Sequence, residues 1–228
     1  MRSFWIILSC WFIFSITLQA QEYRYEIGGA AGTSFYMGDA NKNSLFKYPG
    51  IAGGLLMRYN ISLHWAVRAN VLAGRVTGNT AGSGNSFPYG ADHAFSRTFA
   101  ETGAQVEFNF LPYSDRQGYL QTSRYTPYLL AGAGLTAASG ERLFSSMSIP
   151  IGAGVKYKIK NRMNIGIEFS MRKLFGDDFD VTRNGKEPDL EYPYGIRGSL
   201  LKNQDWYSIT MIFLTWDFGL RRDPCCGN

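Results

Sequence analysis

Between residues 163 and 175 the chain alternates residue by residue. Ile165, Ile167, Phe169 and Met171 share one parity, and Gly166, Glu168, Ser170 and Arg172 share the other. Only an extended strand gathers such residues onto one apolar and one polar face, because successive Cβ atoms of a strand point to opposite sides. A helix would scatter them around its circumference. The pattern recurs upstream. Ala104, Val106, Phe108 and Phe110 oppose Gly103, Gln105, Glu107 and Asn109, and Ile149, Ile151, Ala153, Val155 and Tyr157 oppose Gly152, Gly154, Lys156 and Lys158. Eight segments have strand character, roughly Tyr23–Met37, Gly50–Asn60, Trp65–Thr77, Phe95–Pro112, Tyr125–Ala138, Ser145–Ile159, Met163–Phe175 and Trp206–Gly219. The chain is 15% aromatic with 26 glycines, and 18% of its residues are charged. That is below the roughly one quarter usual for a soluble domain, and it favours strands over helices.

Alternation alone does not say which face is inside. A lipocalin-like barrel turns the apolar face in, and a membrane barrel turns it out toward lipid. Three features favour the second arrangement: an even strand count, strands long enough for the about 9–11 residues a tilted membrane strand needs, and links that alternate between short and long. The links at 60–64 and 160–162 are tight, and those at 38–49, 78–94 and 176–205 are long and polar. The 113–124 link is long for the short side, and 138–145 is short for the long side. The mean hydropathy of −0.16 suits a membrane barrel, since only alternate residues face lipid. The expected fold is therefore all-β: an eight-stranded antiparallel up-and-down transmembrane β-barrel of OmpA/OmpX size, in a bacterial outer membrane. Its lumen would hold Glu26, Arg58, Arg68, Glu101, Glu107, Lys156, Glu168 and Arg172, whose mixed signs should pair and plug so narrow an interior. Tyr59, Trp65, Tyr128, Tyr157, Trp206, Tyr207 and Trp216 fall near strand ends and suit interfacial girdles, although core aromatics are the ordinary alternative.

The N-terminus reads as a secretory signal. Arg2 precedes an apolar run from Phe4 to Leu18, and Ala20 offers a small residue for cleavage. The expected organisation is a signal peptide over 1–20, a barrel over 21–220 and a periplasmic tail over 221–228. Both termini of an even-stranded barrel lie on one side, here the periplasm. Cleavage removes Cys10 and leaves Cys225 and Cys226 adjacent in the tail. Neighbouring cysteines cannot staple a core, so they are free thiols, a strained vicinal pair, or the donors of a disulfide to a periplasmic partner.

Little in the chain points to catalysis. His64 falls at a periplasmic turn and His93 in an outer loop, so they cannot share a metal or a triad. Asp177, Asp178, Asp180, Asp189 and Glu191 make the last long loop acidic, but their spacing is not that of a calcium loop. Gly132-Ala133-Gly134 and Gly152-Ala153-Gly154 lie within strands and precede no helix, which argues against phosphate binding. The net charge of +5 is carried by scattered basic residues without a Lys/Arg run, a poor fit to nucleic acid. No catalytic, cofactor-binding or metal residue is expected, and no small-molecule substrate.

Several stretches resemble the PorG-type outer-membrane barrels. They include Tyr25-Glu26-Ile27-Gly28-Gly29, Ser34-Phe35-Tyr36-Met37-Gly38-Asp39, Phe95-Ser96-Arg97, Val106-Glu107-Phe108-Asn109-Phe110 and Tyr125-Thr126-Pro127-Tyr128. Gly154-Val155-Lys156-Tyr157-Lys158, Glu168-Phe169-Ser170-Met171-Arg172-Lys173 and Asn203-Gln204-Asp205-Trp206-Tyr207-Ser208 extend the likeness collinearly over nearly the whole mature chain. The resemblance implies a structural component of the type IX secretion system, which ties a periplasmic ring of a lipoprotein and its soluble partner (PorK and PorN) to the outer membrane. Under that implication Cys225 and Cys226 are the first candidates for the ring contact, and the 113–124 link is the second. The competing expectations are a generic OmpA/OmpX-type barrel with a structural or surface-binding role, and a barrel enzyme.

Overall fold

The computed structural model describes residues 23–37, 49–79, 94–114, 122–139, 144–160, 162–175 and 206–220. The expected signal peptide, His93, the acidic residues from Asp177 to Glu191, and Cys225 and Cys226 lie outside them. The described residues form eight strands: β1 (Tyr23–Met37), β2 (Gly50–Asn60), β3 (Trp65–Asn79), β4 (Ala94–Asn109), β5 (Tyr125–Ser139), β6 (Phe144–Lys160), β7 (Met163–Leu174) and β8 (Trp206–Leu220). Each pairs antiparallel with the next. β1 also pairs with β8, which closes the sheet in chain order as an up-and-down transmembrane barrel.

The register sets the barrel's size. Followed once around through directly opposed partners, Tyr25 leads to Tyr59, Val67, Val106, Ala131, Ile151, Met171, Ser208 and finally Phe35, ten residues further along β1. Eight strands with that stagger tilt by about 40° and enclose a backbone cylinder of about 8 Å radius. Side chains can fill such a space. Closure at this radius also demands close backbone approach at a few points. A Cβ on Gly28 would collide with the Leu214 carbonyl of β8, so glycine is what lets the first and last strands meet there.

The barrel's polarity is the reverse of a soluble protein's. Leu55, Val71, Leu135, Ile167 and Ile212 project outward from within their strands, and Ile51, near the start of β2, does so with 80% of its surface exposed. The alternate positions point inward and carry nearly all the buried charge. An exposed apolar belt with a polar interior is the solution a sheet finds in lipid, where closure leaves no unpaired edge.

Two expectations are corrected. β4 ends at Asn109, short of Pro112. The Leu111 amide donates to the Thr126 hydroxyl at 3.0 Å instead of to a ladder carbonyl, and Pro112 has no N–H to offer, so the ladder stops. The chain then turns under the barrel at the end where β1 begins and β8 ends. Tyr113 is buried there, its amide donates to the Leu63 carbonyl at 3.3 Å, and it bridges to Ser123. The second correction concerns the girdle. Tyr128 and Tyr207 share the inward parity of their strands and are buried in the lumen, whereas Tyr59, Trp65, Tyr157 and Trp216 are exposed on the outside.

Candidate functional site

The interior is organised around one carboxylate. Glu107, projected inward from β4, lies 2.7 Å from Arg58 Nε on β2, 3.3 Å from Arg68 on β3 and 3.3 Å from Lys156 on β6. Each cation reaches a second partner or ring. Arg58 pairs with Glu26 of β1. Arg68 grips Glu168 of β7 with both terminal nitrogens at 2.5 and 3.0 Å and donates from Nε to Gln105 at 2.9 Å. The Lys156 ammonium lies over the rings of Tyr113, at 4.9 Å, and Tyr128, at 5.2 Å. The Tyr128 hydroxyl donates to Glu168 at 2.7 Å. Gly154 makes this possible, since a Cβ there would come within 2.7 Å of the Tyr128 ring.

Two smaller clusters flank this hub. Further from the termini, Arg172 Nε donates to Glu101 at 2.7 Å, and the Tyr207 hydroxyl donates to the same carboxylate while lying 3.0 Å from Thr136. Toward the termini, Lys158 pairs with Asp217, Asn164 donates to Asp217 at 2.6 Å, and the Tyr113 hydroxyl donates to Asn164 at 2.6 Å. Asn60 donates to Glu26 at 3.0 Å. Five cations (Arg58, Arg68, Lys156, Lys158 and Arg172) are thus ion-paired with five carboxylates (Glu26, Glu101, Glu107, Glu168 and Asp217). Buried ions survive only when paired and hydrogen-bonded, and among these ten the formal charge cancels.

The eight residues assigned to the lumen by sequence all face it. Six of them belong to the hub: Glu26, Arg58, Arg68, Glu107, Lys156 and Glu168. Arg172 and Glu101 form a separate pair. The Lys158–Asp217–Asn164–Tyr113 chain and the part of the interior furthest from the termini lie beyond those eight residues. There Tyr36, Leu72, Val76, Phe99, Leu174 and Ile209 pack as an apolar layer, with Phe99 and Tyr207 rings 5.1 Å apart. The lumen is therefore not filled by charge alone. Its terminus end is ionic and floored by Leu63 and Tyr113, and its other end is mostly apolar, with the buried Arg97 set opposite Val76.

Outside, aromatic side chains collect at the terminus end. Trp65 stacks obliquely on Phe108 with centroids 4.8 Å apart, and Tyr25 contacts both Phe218 and Tyr59 at 5.3 and 5.4 Å. At the other end Lys173 lies 5.7 Å over the Trp206 ring. His64 sits half-buried in the β2–β3 turn, its ring 6.4 Å from Phe108. Among the described residues no three His, Cys, Asp or Glu side chains gather closely enough to hold a metal ion. What the interior can do chemically is brace: Glu107 alone links β4 to β2, β3 and β6, a set that includes strands far apart in the sheet.

Comparison with known proteins is informative at the family level. The sequence has no significant match among curated proteins. Among solved structures the chain is similar to Neisserial surface protein A, at 15% identity and a TM-score of 0.48 over 85% of this chain and 97% of that one. It is also similar to Ail, the attachment invasion locus protein of Yersinia pestis (16%, 0.45, 88% and 100%), and to outer membrane protein OprG of Pseudomonas aeruginosa (11%, 0.44, 88% and 98%). A family model described as a domain of unknown function, DUF6089, matches residues 2–228, so the chain belongs to the DUF6089 family.

Proposed function

We propose that this barrel resides in a bacterial outer membrane with both termini in the periplasm and works as a structural anchor. In this reading it is a PorG-type component of a type IX secretion system, holding a periplasmic ring of a lipoprotein and a soluble partner to the membrane. The observation that carries the reading is the interior. A lumen braced by ion pairs that span non-adjacent strands and floored by Tyr113 suits a rigid fixture better than a conduit. The resemblance to PorG-type barrels over nearly the whole mature chain supplies the machine it would serve. Cys225 and Cys226 are the proposed handle, through a disulfide to a ring component formed in the oxidising periplasm.

The experiment is capture from detergent-solubilised native membranes, with and without reductant, comparing wild type with Cys225→Ser/Cys226→Ser. A ring lipoprotein held by wild type without reductant, and released by reductant or by the double substitution, is the expected result. A monomer-sized band on non-reducing electrophoresis, unshifted by reductant, would remove the disulfide. Failure to capture any ring component under either condition would leave a generic OmpA/OmpX-type barrel in its place.

A further inference from the structure

Four buried polar atoms gather around one stretch of the lumen wall without a hydrogen-bond partner among the described residues. They are Asn70 Oδ1 on β3, Gln105 Nε2 on β4, Ser148 Oγ on β6 and Arg172 Nη2 on β7. Each residue is at most 4% exposed. The register brings them together. Asn70 opposes Gly103, Gly103 opposes Gly134, and Gly134 opposes Ser148, so one row around the barrel joins an amide to a hydroxyl across two glycines. In the next inward row toward the termini, Gln105 opposes Gly132. Arg172 opposes Pro150, two residues beyond Ser148 on β6.

The three glycines share the inward parity of Glu101 and Thr136, so β4 and β5 present bare backbone to the lumen here. The flanking side chains lean over it. A Cβ on Gly132 would come within 2.8 Å of Gln105 Cγ, and one on Gly134 within 3.0 Å of Ser148 Oγ. Gln105 Oε1 is held by the Arg68 guanidinium, which can only donate, so Nε2 is the end turned away from Arg68. Asn70 turns Nδ2 to the Glu101 carboxylate at 3.4 Å, which leaves Oδ1 unbonded. Arg172 reaches across the lumen to Glu101, one inward position from Gly103. It spends Nε on that carboxylate and Nη1 on Ser170 Oγ, both at 2.7 Å. Ser170 in turn donates to Glu168, the partner of Arg68. The bonds thus run in a circuit from Arg68 through Glu168, Ser170, Arg172 and Glu101 to Asn70, back on the strand where they began.

We propose that this glycine-floored pocket is an internal hydration site, where bound water bridges Asn70, Gln105, Ser148 and Arg172. Buried polar atoms are costly to leave unbonded, and a buried water takes about two to four polar partners. The donor set fits water better than an ion. Gln105 and Arg172 donate, Asn70 accepts, and Ser148 does either. An anion would face the Asn70 carbonyl and the Glu101 carboxylate. A cation would face the Arg172 guanidinium, and Glu101 is already matched to that guanidinium at 2.7 Å. The pocket is closed along the barrel axis. The Arg68–Glu168 pair lies on its terminus side, and Leu72 and Phe99 of the apolar layer lie on the other. The water hydrates the Arg172–Glu101 pair without opening a path through the barrel.

The test is rotating-frame NMR spectroscopy of the purified full-length protein in dodecylphosphocholine micelles. It reads cross-peaks between water and the Gln105 side-chain amide protons, whose sign separates bound water from proton exchange. Wild type should show them. Ser148→Ala removes the hydroxyl without filling the pocket and should keep them. Ser148→Leu extends a side chain over Gly134 and should lose them. Heat-modifiability on electrophoresis reports folding, and wild type with S148A decides the matter if S148L does not fold. Absence of the cross-peaks in wild type overturns the proposal. So does their loss in S148A, which would trace them to the hydroxyl proton, or their persistence in folded S148L. Sodium bromide that shifts the Gln105 amide resonances and removes the cross-peaks also overturns it, since that marks an anion site. The pocket is independent of the anchoring reading, which partner capture tests separately.

Discussion

Replacing Glu107 with glutamine removes one negative charge from the middle of the barrel with little change of shape. Its three cations stand 2.7 to 3.3 Å away. At an effective dielectric of about 20, a unit-charge pair at about 4 Å attracts by roughly 4 kcal/mol, so Glu107 offsets much of the cost of burying Arg58, Arg68 and Lys156. Part of that attraction remains in E107Q, because Arg58 keeps Glu26 and Arg68 keeps Glu168. Among the described residues, Lys156 then keeps only the two tyrosine rings as close partners. Breaking a buried pair by removing one member costs about 3–5 kcal/mol, and E107Q should fall in that range. With an m-value of about 2 kcal/mol/M, the urea midpoint should drop by roughly 2 M. The compensating change is Lys156→Met, which restores charge balance at similar volume. The double variant should recover about 1–3 kcal/mol relative to the sum of the singles. Reversible urea unfolding of the barrel in lipid vesicles, followed by tryptophan fluorescence and heat-modifiability, measures all four corners of the cycle. If E107Q stays within about 0.5 kcal/mol of wild type, or the two substitutions simply add, Glu107 is not the hub described above.

Tyr113→Phe should cost about 1–2 kcal/mol in the same unfolding assay, because it leaves Asn164 Oδ1 without the donor now 2.6 Å away. Tyr113→Ala also removes the ring beneath Lys156 and Lys158 and should cost about 3–5 kcal/mol. Gly28→Ala places a Cβ against the Leu214 carbonyl, so the yield of heat-modifiable folded barrel should collapse; wild-type yield would contradict the tight β1–β8 approach. Lysine at Ile167, which opposes Ile212 at mid-belt, should destabilise the barrel in vesicles by about 2–4 kcal/mol, whereas lysine at Ile61 in the β2–β3 turn should cost no more than about 1. Equal costs at the two sites would argue against the apolar belt lying in lipid.

The fold was legible where the two faces of a strand differ. In β7 the outward residues are Ile165, Ile167, Phe169 and Met171 and the inward ones include Glu168, Ser170 and Arg172, so parity alone separates them. β8 lacks that contrast. Ile209, Met211 and Phe213 face inward while Ile212, Leu214 and Trp216 face outward, and a strand apolar on both faces gives period two nothing to detect. Asp217, and with it the Lys158–Asp217–Asn164 chain, was hidden for that reason. Tyr128 and Tyr207 mislead differently: both lie close to strand ends, but parity decides their side, and Tyr128 shares its face with Thr126 and Leu130. The floor was unreadable for a third reason. Tyr113 lies outside any strand, and its burial rests on contacts with Leu63 in the β2–β3 turn and Asn164 of β7, which are distant in the chain.

The stagger of the sheet bears on how such a molecule can come into being. β1 and β8 occupy opposite ends of the chain, so the last seam cannot form until every other strand has been made, a topology that makes assembly slow. An open sheet lying in a bilayer would show hydrocarbon not only the unpaired edges of β1 and β8 but also Arg58, Arg68, Lys156 and Arg172, groups whose exposure to lipid is costly. Partial insertion is thus penalised twice, once in backbone hydrogen bonds and once in ions, and both penalties vanish at the same event. Insertion and circularisation should therefore be a single kinetic step, with strands held at the interface, not yet inserted, until the seam can shut.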